Sequence, residues 1–210
     1  MNINYPKEIY NYIKDLKYNI DDIGRSNDQV IIFEDKYVLK ISQNKDILLR
    51  EKQMNDWLNN KIPCTKSICF IEENNKYYYL RTCINGKSLI DDKYINNPSL
   101  LIDILSKAIN LLKQLDKYNC PIKSIDNIGN AFIHGDLCLP NIYVDDNNEI
   151  TGFIDLGNSG LGDRWYDYSW LIWSFQYNLK TDKYTKDLLE KLNIKFNQDI
   201  YNKYIPKEYQ

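Results

Sequence analysis

The sequence predicts an α+β fold of two lobes, with an antiparallel sheet and one key helix in the first lobe and mostly helices in the second. Two observations support this prediction. Early in the chain, pairs of strand-like runs are joined by short polar turns, whereas later the apolar residues recur at helical spacing. A length of 210 residues allows one large domain or two small lobes. Because the pattern breaks at Asn85-Gly86, we expect lobes at residues 1–83 and 84–210.

In the first lobe, two hairpin patterns flank a helical segment. The four strand-like runs are residues 29–33, 36–42, 67–72 and 76–82, and the turns between them are Glu34-Asp35 and Glu73-Asn74-Asn75. Residues 43–60, between the two hairpins, change to helical spacing. We also predict an amphipathic helix over residues 1–22, which are polar and rich in tyrosine and isoleucine.

In the second lobe, a core helix is predicted over residues 98–117, with Ser99 able to cap its start. Its apolar positions recur at helical spacing at Leu101, Leu105, Ala108, Leu112 and Leu115. A further hairpin is expected at residues 142–145 and 150–155, and helices follow from Tyr166 onward.

Composition excludes several classes of protein. Hydrophobic residues make up 43% of the chain, and no apolar run approaches the roughly 18 residues that cross a membrane. A net charge of -2 and a pI near 5.5 argue against nucleic-acid binding, which calls for a strong basic patch. The five cysteines are odd in number and lack a Cys-x-x-Cys pair, and the start of the chain lacks a signal-peptide pattern. We therefore expect a cytoplasmic protein without nucleic-acid or membrane partners, while the oligomeric state is left open.

A segment of the second lobe carries the pattern of a phosphoryl-transfer site. Residues 134–141 read His-Gly-Asp-Leu-Cys-Leu-Pro-Asn, and Asp155 follows across the predicted hairpin. In such a site Asp136 acts as the base that takes the proton of the acceptor hydroxyl, or it orients that hydroxyl toward the terminal phosphate. Asn141 and Asp155 are oxygen ligands of the kind that hold Mg²⁺ jointly with nucleotide phosphates. Gly135 would allow a tight turn before the aspartate.

A lysine and a glutamate in the first lobe fit the same chemistry. Strand alternation places Lys40 on the face of Val38, and Glu51 lies within the apolar stripe of the following helix with Ile47, Met54 and Leu58. A half-buried carboxylate there needs a cation. Pairing of Lys40 with Glu51 would orient the lysine toward the nucleotide phosphates, and the alternative interpretation is an ordinary structural salt bridge.

The phosphate-covering loop of this chain departs from the common motifs. There is no Gly-x-x-x-x-Gly-Lys-Ser/Thr sequence and no Gly-x-Gly-x-x-Gly before Lys40. We expect Ser26 and the main-chain amides around it to take that place. His134 is the single histidine of the sequence, and we predict a structural brace under the catalytic loop because Asp136 already fills the catalytic position.

The segment after Asp155 indicates the class of acceptor. Only seven residues separate Asp155 from Asp163, which leaves no room for the long segment on which protein kinases seat a peptide. The acceptor is therefore predicted to be a small molecule. Asp163 should cap the next helix, and Asp167 should brace the catalytic loop.

In these residues the chain resembles the aminoglycoside phosphotransferases, and within them the 3'-phosphotransferase branch of the kinase-like superfamily. The resemblance is carried by residues 50–63, 134–142, 152–160 and 163–167, with looser similarity over residues 30–40. It implies a protein-kinase-like fold, ATP or GTP bound between two lobes with main-chain contacts from Thr82 to Ile84, and Mg²⁺ as the metal.

Two departures from the family concern the acceptor side, which implies a shortened C-terminal lobe. Only 18 residues separate Leu115 from His134, where the family has a long helical segment, and Gln176, Tyr177 and Asn178 stand where it tends to show acids. Three hypotheses follow from the sequence. They are an aminoglycoside kinase, a kinase of another small amino alcohol or sugar, and a catalytically silent nucleotide-binding protein.

Overall fold

The structure is a computed structural model that describes residues 5–21, 29–123 and 128–209. The helices of the described chain are α1 (Lys7–Ile13), α2 (Lys45–Leu58), α3 (Asp92–Ile95), α4 (Pro98–Gln114), α5 (Arg164–Leu179), α6 (Thr185–Leu192) and α7 (Gln198–Tyr204). Its strands are β1 (Tyr18–Asp21), β2 (Gln29–Phe33), β3 (Tyr37–Ser42), β4 (Ser67–Glu73), β5 (Lys76–Thr82), β6 (Lys87–Ser88), β7 (Ala131–Ile133), β8 (Ile142–Val144), β9 (Ile150–Phe153) and β10 (Gly160–Gly162). Short 3₁₀ turns occupy Leu115–Lys117, Leu139–Asn141, Leu156–Asn158 and Lys207–Tyr209.

The first half of the chain is built on a five-stranded antiparallel sheet in the order β1-β2-β3-β5-β4. One face of the sheet packs on α1, where Ile9, Leu39 and Leu80 are fully buried. The other face packs on α2, which begins at an Asn44 cap that accepts hydrogen bonds from the main-chain N–H groups of residues 46 and 47. The strand alternation predicted around Lys40 is confirmed by this division.

The second half is mostly helical and surrounds α4. Its buried residues lie on one side of the helix at the predicted spacing, and the largest hydrophobic cluster of the described chain forms around them. Two small sheets, β6-β8-β9 and β7-β10, carry loops toward the first half. The α+β prediction, with a sheet first and helices after it, is confirmed. No helix in the described ranges combines the length and apolar character that crossing a bilayer needs.

Three local predictions need correction. The predicted helix over residues 1–22 is the short α1 followed by β1, because Tyr18–Asp21 pairs with β2, and residues 1–4 and 22 lie outside the described chain. Helix α4 is capped by Asn97, whose side chain accepts from the Leu100 N–H, rather than by Ser99. Ile47 is 51% exposed, since Leu48 takes the buried position on α2.

Candidate active site

The catalytic loop predicted at residues 134–141 follows β7 and is held from below by α5. The carboxylate of Asp167 accepts hydrogen bonds from the main-chain N–H groups of His134, at 2.7 Å, and Gly135, at 2.9 Å. Burial raises the pKa of Asp167 to about 7, against the opposing effect of these two donors. Asp167 therefore braces the loop, as the sequence indicated.

Two residues shape the loop before Asp136. His134 is fully buried, its pKa is lowered by burial, and its Nδ1 accepts from the Asp136 N–H at 3.3 Å, so the neutral ring serves as a support. Gly135 has φ +80°, and a Cβ there would lie 2.3 Å from the Asn158 carbonyl oxygen. Only glycine fits this close approach of two loops.

Asp136 and Asn141 are held together at the end of this loop. The Nδ2 of Asn141 donates to Asp136 Oδ2 at 2.9 Å and to the Asp136 carbonyl at 3.0 Å. Asn141 is buried, whereas Asp136 is half-buried. Within the described chain, Oδ1 of Asn141 accepts no hydrogen bond, so this oxygen is left for a cation or a ligand.

Lys40, Glu51 and Asp155 form one network of charges. The Nζ of Lys40 lies 2.8 Å from Glu51 Oε2 and 2.6 Å from Asp155 Oδ1. Burial opposes the charged forms, but the attraction outweighs it. The pKa of Lys40 is raised by Glu51 and Asp155, and that of Asp155 is lowered by Lys40 and Arg81. The structure thus brings together the lysine, the helix glutamate and the aspartate that were picked from distant parts of the sequence.

Arg81 belongs to this network and was missed by the sequence analysis. Its Nε lies 3.4 Å from Glu51 Oε1, and its side chain is 4% exposed. The residue stands opposite Val38 in the β3–β5 pairing, next to the pair formed by Lys40 and Tyr79. The alternation of β5 could have placed Arg81 on one face with Tyr79, but only the strand register shows that this is the face of Lys40.

Arg50, on α2, joins that helix to the segment after Asp155. Its Nε donates to the Gly157 carbonyl at 2.6 Å, and its Nη2 donates to the carbonyls of Ser159, at 2.9 Å, and Lys123. Asp155 itself has left-handed backbone angles, φ 58° and ψ 47°, which few residue types other than glycine, asparagine and aspartate adopt readily. The Arg50 hydrogen bonds restrain the segment in which this conformation occurs.

Lys40, Glu51, Arg81 and Asp155 line a central cleft of about 500 Å³ between the five-stranded sheet and the β6-β8-β9 sheet. Much of the remaining lining is apolar and includes Val30, Ile32, Val38, Cys83, Ile84, Tyr143 and Ile154. Such a lining suits a ligand that combines a flat apolar ring with charged groups.

The remaining predicted contacts of this cleft fall into three groups. Ile84 lines the cleft. Thr82 is not among the lining residues, because its N–H donates to the Lys66 carbonyl and its Oγ1 accepts from the Lys66 N–H. Ser26 lies outside the described residues.

A second cavity, the α5–α7 groove, has a volume of about 850 Å³. Its wall contains the predicted positions Gln176, Tyr177 and Asn178, together with Trp173, Phe196 and Tyr201. Lys180 and Asp182 are its charged lining residues among those described. The groove is linked to the catalytic loop because Ser174 Oγ accepts both from Asn178 Nδ2, at 3.2 Å, and from the Leu139 N–H, at 2.9 Å.

Related sequences point to one family. A model of the phosphotransferase enzyme family matches residues 129–190, which contain the catalytic loop and Asp155. A probable aminoglycoside 3'-phosphotransferase of Lactococcus lactis is 28% identical over 86% of this chain and 84% of that protein. An aminoglycoside 3'-phosphotransferase of Enterococcus faecalis is 25% identical over 74% of this chain and 76% of that protein.

Solved structures share the fold over nearly the whole chain. An aminoglycoside phosphotransferase of Streptomyces rimosus has a TM-score of 0.77 at 17% identity and covers 93% of both chains. An aminoglycoside 3'-phosphotransferase of type VIII has a TM-score of 0.74 at 15% identity, over 94% of both chains. These likenesses establish the kinase-like fold, and the sequence relatives go further. Together the family model, the sequence relatives and the solved structures support the predicted resemblance to the aminoglycoside phosphotransferases and indicate a phosphotransferase that acts on a hydroxyl group.

Proposed function

We propose that this chain transfers the terminal phosphoryl group of ATP or GTP to a hydroxyl group of a small molecule, with aminoglycosides as acceptors. One observation carries the proposal: the Ile154 N–H, next to Asp155, donates to the Asn141 carbonyl at 3.1 Å, so that the loop of Asp136 and Asn141 adjoins the aspartate that Lys40 contacts. A base and a phosphate-binding cation are the two groups that such a transfer needs from the protein.

Asp136 is the base of the proposed reaction. The hydroxyl oxygen of the acceptor forms a bond to the terminal phosphorus, the bond from that phosphorus to the nucleoside diphosphate breaks, and Asp136 takes the hydroxyl proton. Asn141 donates to Oδ2 of Asp136 and thereby orients the carboxylate. The hydrogen bonds from His134 and Gly135 to Asp167 keep the loop in place during transfer.

The charged side chains of the central cleft are the proposed phosphate site. Lys40 would contact the phosphates from the position that Glu51 fixes, and Asp155 would be one of the residues that hold a metal. Asn141 Oδ1 and the 44%-exposed Asp155 side chain fit Mg²⁺, which prefers a few protein oxygens shared with phosphates. When bound, Mg²⁺ neutralises charge on the transferred group.

Two observations favour an aminoglycoside as the acceptor. The sequence relatives in Lactococcus lactis and Enterococcus faecalis are named for that activity. In this chain, residues 156–162 run directly from the predicted metal ligand to the start of α5, which leaves no peptide platform. The proposed acceptor site is the α5–α7 groove, where aromatic rings and amides lie beside the carboxylate of Asp182.

The test is a transfer assay with labelled ATP or GTP, Mg²⁺, and a panel of aminoglycosides and simple amino sugars. Asp136→Asn should lower kcat about 100- to 10,000-fold, because the base is lost, while nucleotide affinity stays within about threefold. Asp146→Asn is the matched control. This aspartate lies exposed in the β8–β9 turn, and its replacement should leave the rate unchanged.

The outcomes separate the three hypotheses drawn from the sequence. Transfer to aminoglycosides supports the proposal, and transfer to amino sugars alone replaces the acceptor class. Tight nucleotide binding without transfer to any acceptor would overturn the proposal in favour of a silent nucleotide-binding protein.

A further inference from the structure

We propose that the α5–α7 groove binds the hydroxyl and ammonium groups of its acceptor mainly through neutral oxygens, and that it pairs a carboxylate with only one ammonium group. The inference rests on the proposed function, in that an aminoglycoside occupies this groove. It adds the way in which the acceptor is recognised, with Gln176 and Asn178 as the residues that determine specificity.

The described lining of the groove carries little charge. Asp182 is the one carboxylate among the described lining residues, and Lys180, two residues earlier in the chain, is a cation. Both side chains are exposed. Because the two charges oppose each other, these residues give a polycation little net attraction. An acceptor with several ammonium groups finds a single carboxylate partner among them.

Two amide side chains of the lining have their nitrogens in use and their oxygens available. The Nδ2 of Asn178 donates to the Ser174 carbonyl at 2.7 Å and to Ser174 Oγ at 3.2 Å, and the Nε2 of Gln176 donates to Thr185 Oγ1 at 3.0 Å. Within the described chain, Oδ1 of Asn178 and Oε1 of Gln176 accept no hydrogen bond, and neither oxygen is buried. A ligand in the groove therefore meets two neutral hydrogen-bond acceptors.

The oxygen of Asn178 is held in a fixed position relative to the catalytic loop. Ser174, to which Asn178 donates twice, is buried, and its Oγ also accepts from the Leu139 N–H at 2.9 Å. A side chain that is already ordered loses little conformational entropy when a ligand binds. Asn178 can therefore contribute to acceptor binding without a charge.

Aromatic rings supply a further surface that depends little on charge. Trp173 and Tyr177 stack with ring centroids 5.0 Å apart and an angle of 19° between the ring planes, and Tyr177 is 66% exposed. Such a face binds the apolar face of a sugar ring, and at an exposed site a cation adds only a modest attraction to it.

The groove should therefore distinguish poorly between a hydroxyl and an ammonium group at the same position. Both groups donate hydrogen bonds, so a neutral oxygen accepts from either. One exposed ion pair changes Kd by at most about fivefold, whereas three such pairs together would change it on the order of 100-fold.

The experiment measures the Kd values of neomycin and paromomycin by calorimetry on the full chain with Mg-ADP bound. The two acceptors differ by one ammonium group that is exchanged for a hydroxyl group. We expect their Kd values to agree within about fivefold. Between about 0.01 and about 1 M NaCl the screening length falls from roughly 30 to roughly 3 Å, and each Kd should rise by at most about fivefold.

Two variants of Gln176 test its place in recognition. Gln176→Glu adds a carboxylate to which the Thr185 hydroxyl can turn and donate, and it should lower the Kd of neomycin about 2- to 5-fold at low salt but not at high salt. Gln176→Met removes the oxygen and should raise both Kd values about 2- to 10-fold at either salt concentration. Gln53→Glu, which adds a charge on the exposed side of α2 outside the groove, should change neither.

Three results would overturn the inference. A salt-induced rise in Kd on the order of 100-fold, or a preference for neomycin well above tenfold, would mean that several carboxylates hold the acceptor. Unchanged Kd values in both Gln176 variants would place the acceptor outside the groove. Each of these results leaves the proposed phosphoryl transfer intact, whereas the absence of both binding and transfer would defeat the proposed function.

The salt dependence of the unmodified chain tests the inference even if a variant folds poorly. The Kd of Mg-ADP, measured alongside, identifies such a folding defect, because it would weaken the nucleotide as well as the acceptor.

Discussion

The central cleft and the α5–α7 groove differ in how many charged residues line them. The cleft brings five charged side chains into its described lining, of which Lys40, Glu51, Arg81 and Asp155 are joined in one network. The groove has the charged lining residues Lys180 and Asp182, and its walls are mainly aromatic and amide groups. Phosphoryl transfer needs charged groups at fixed positions, so the residues of the central cleft are tightly constrained. The residues of the groove can change, and with them the acceptor, while the residues of phosphoryl transfer stay the same.

The largest effect is expected from a substitution in the central cleft. Lys40→Met should lower kcat/KM about 100- to 1000-fold, because a preorganised cation at the transferring phosphate is lost. The Glu51 side chain should keep its position, since its ion pair with Arg81 remains. Steady-state kinetics with Lys36→Met, an exposed lysine, as the control check this. A loss below tenfold would mean that Lys40 is an ordinary structural salt-bridge partner.

The second prediction concerns Asp167 and the pH dependence of stability. The pKa of Asp167 is about 7 in the folded chain, above its ordinary value of 3.8, so the folded state holds a proton that the unfolded state has released. Between those values this group therefore lowers the free energy of unfolding as pH rises, by at most roughly 1.4 kcal/mol per pH unit.

Urea titrations at several pH values test the Asp167 prediction. Asp167→Asn should be less stable than the parent, because one amide oxygen replaces two acceptors for the His134 and Gly135 N–H groups. The difference in unfolding free energy between the two proteins should shrink as pH rises from 4 to 7. Asp146→Asn should show no such trend, and a constant difference for Asp167→Asn would mean that its carboxylate is ionised throughout.

Arg50→Ala should have a smaller effect, which is confined to the metal requirement at Asp155. Without hydrogen bonds to the carbonyls of Gly157 and Ser159, the left-handed backbone at Asp155 is less restrained. We expect the Mg²⁺ concentration for half-maximal rate to rise about tenfold, which corresponds to one charged hydrogen bond. Lys52→Ala, on the same helix, is the control. An unchanged Mg²⁺ requirement with lower stability would make Arg50 purely structural.

The smallest effect is expected in the groove. Tyr177 is 66% exposed and stacks on Trp173 with ring centroids 5.0 Å apart. Tyr177→Ala should raise the acceptor KM about 2- to 10-fold, because one ring contact is lost, and should leave the nucleotide KM unchanged. Tyr10→Ala, which removes an exposed tyrosine of α1, serves as the control. An effect on the nucleotide KM alone would contradict the assignment of the nucleotide to the central cleft and of the acceptor to the groove.

The sequence allowed most of the phosphoryl-transfer residues to be predicted, because the patterns that indicate them lie within short segments of the chain. The spacing from Asp136 to Asn141 is a motif, and the place of Glu51 in the α2 stripe follows from helical periodicity. Ile47 departs from that stripe because the helix turns Leu48 toward the core and leaves Ile47 at the open side of the cleft.

The residues that the sequence could not reveal depend on contacts between distant segments. Arg81 joins Lys40 only through the register of β3 with β5, and Arg50 reaches the Asp155 segment only after α2 packs on it. Similarly, strand pairing with β2 overrides the helical pattern that had been predicted through residue 22. The lobe boundary at residues 83 and 84 and the roles of the site residues stay predictions.

The left-handed backbone at Asp155 makes one substitution especially informative. Asparagine tolerates these angles as aspartate does, so Asp155→Asn removes a negative charge without asking the loop to move. The resulting protein would keep the shape of the loop while transferring the phosphoryl group more slowly. It is therefore a natural choice for capturing nucleotide and acceptor side by side before they react.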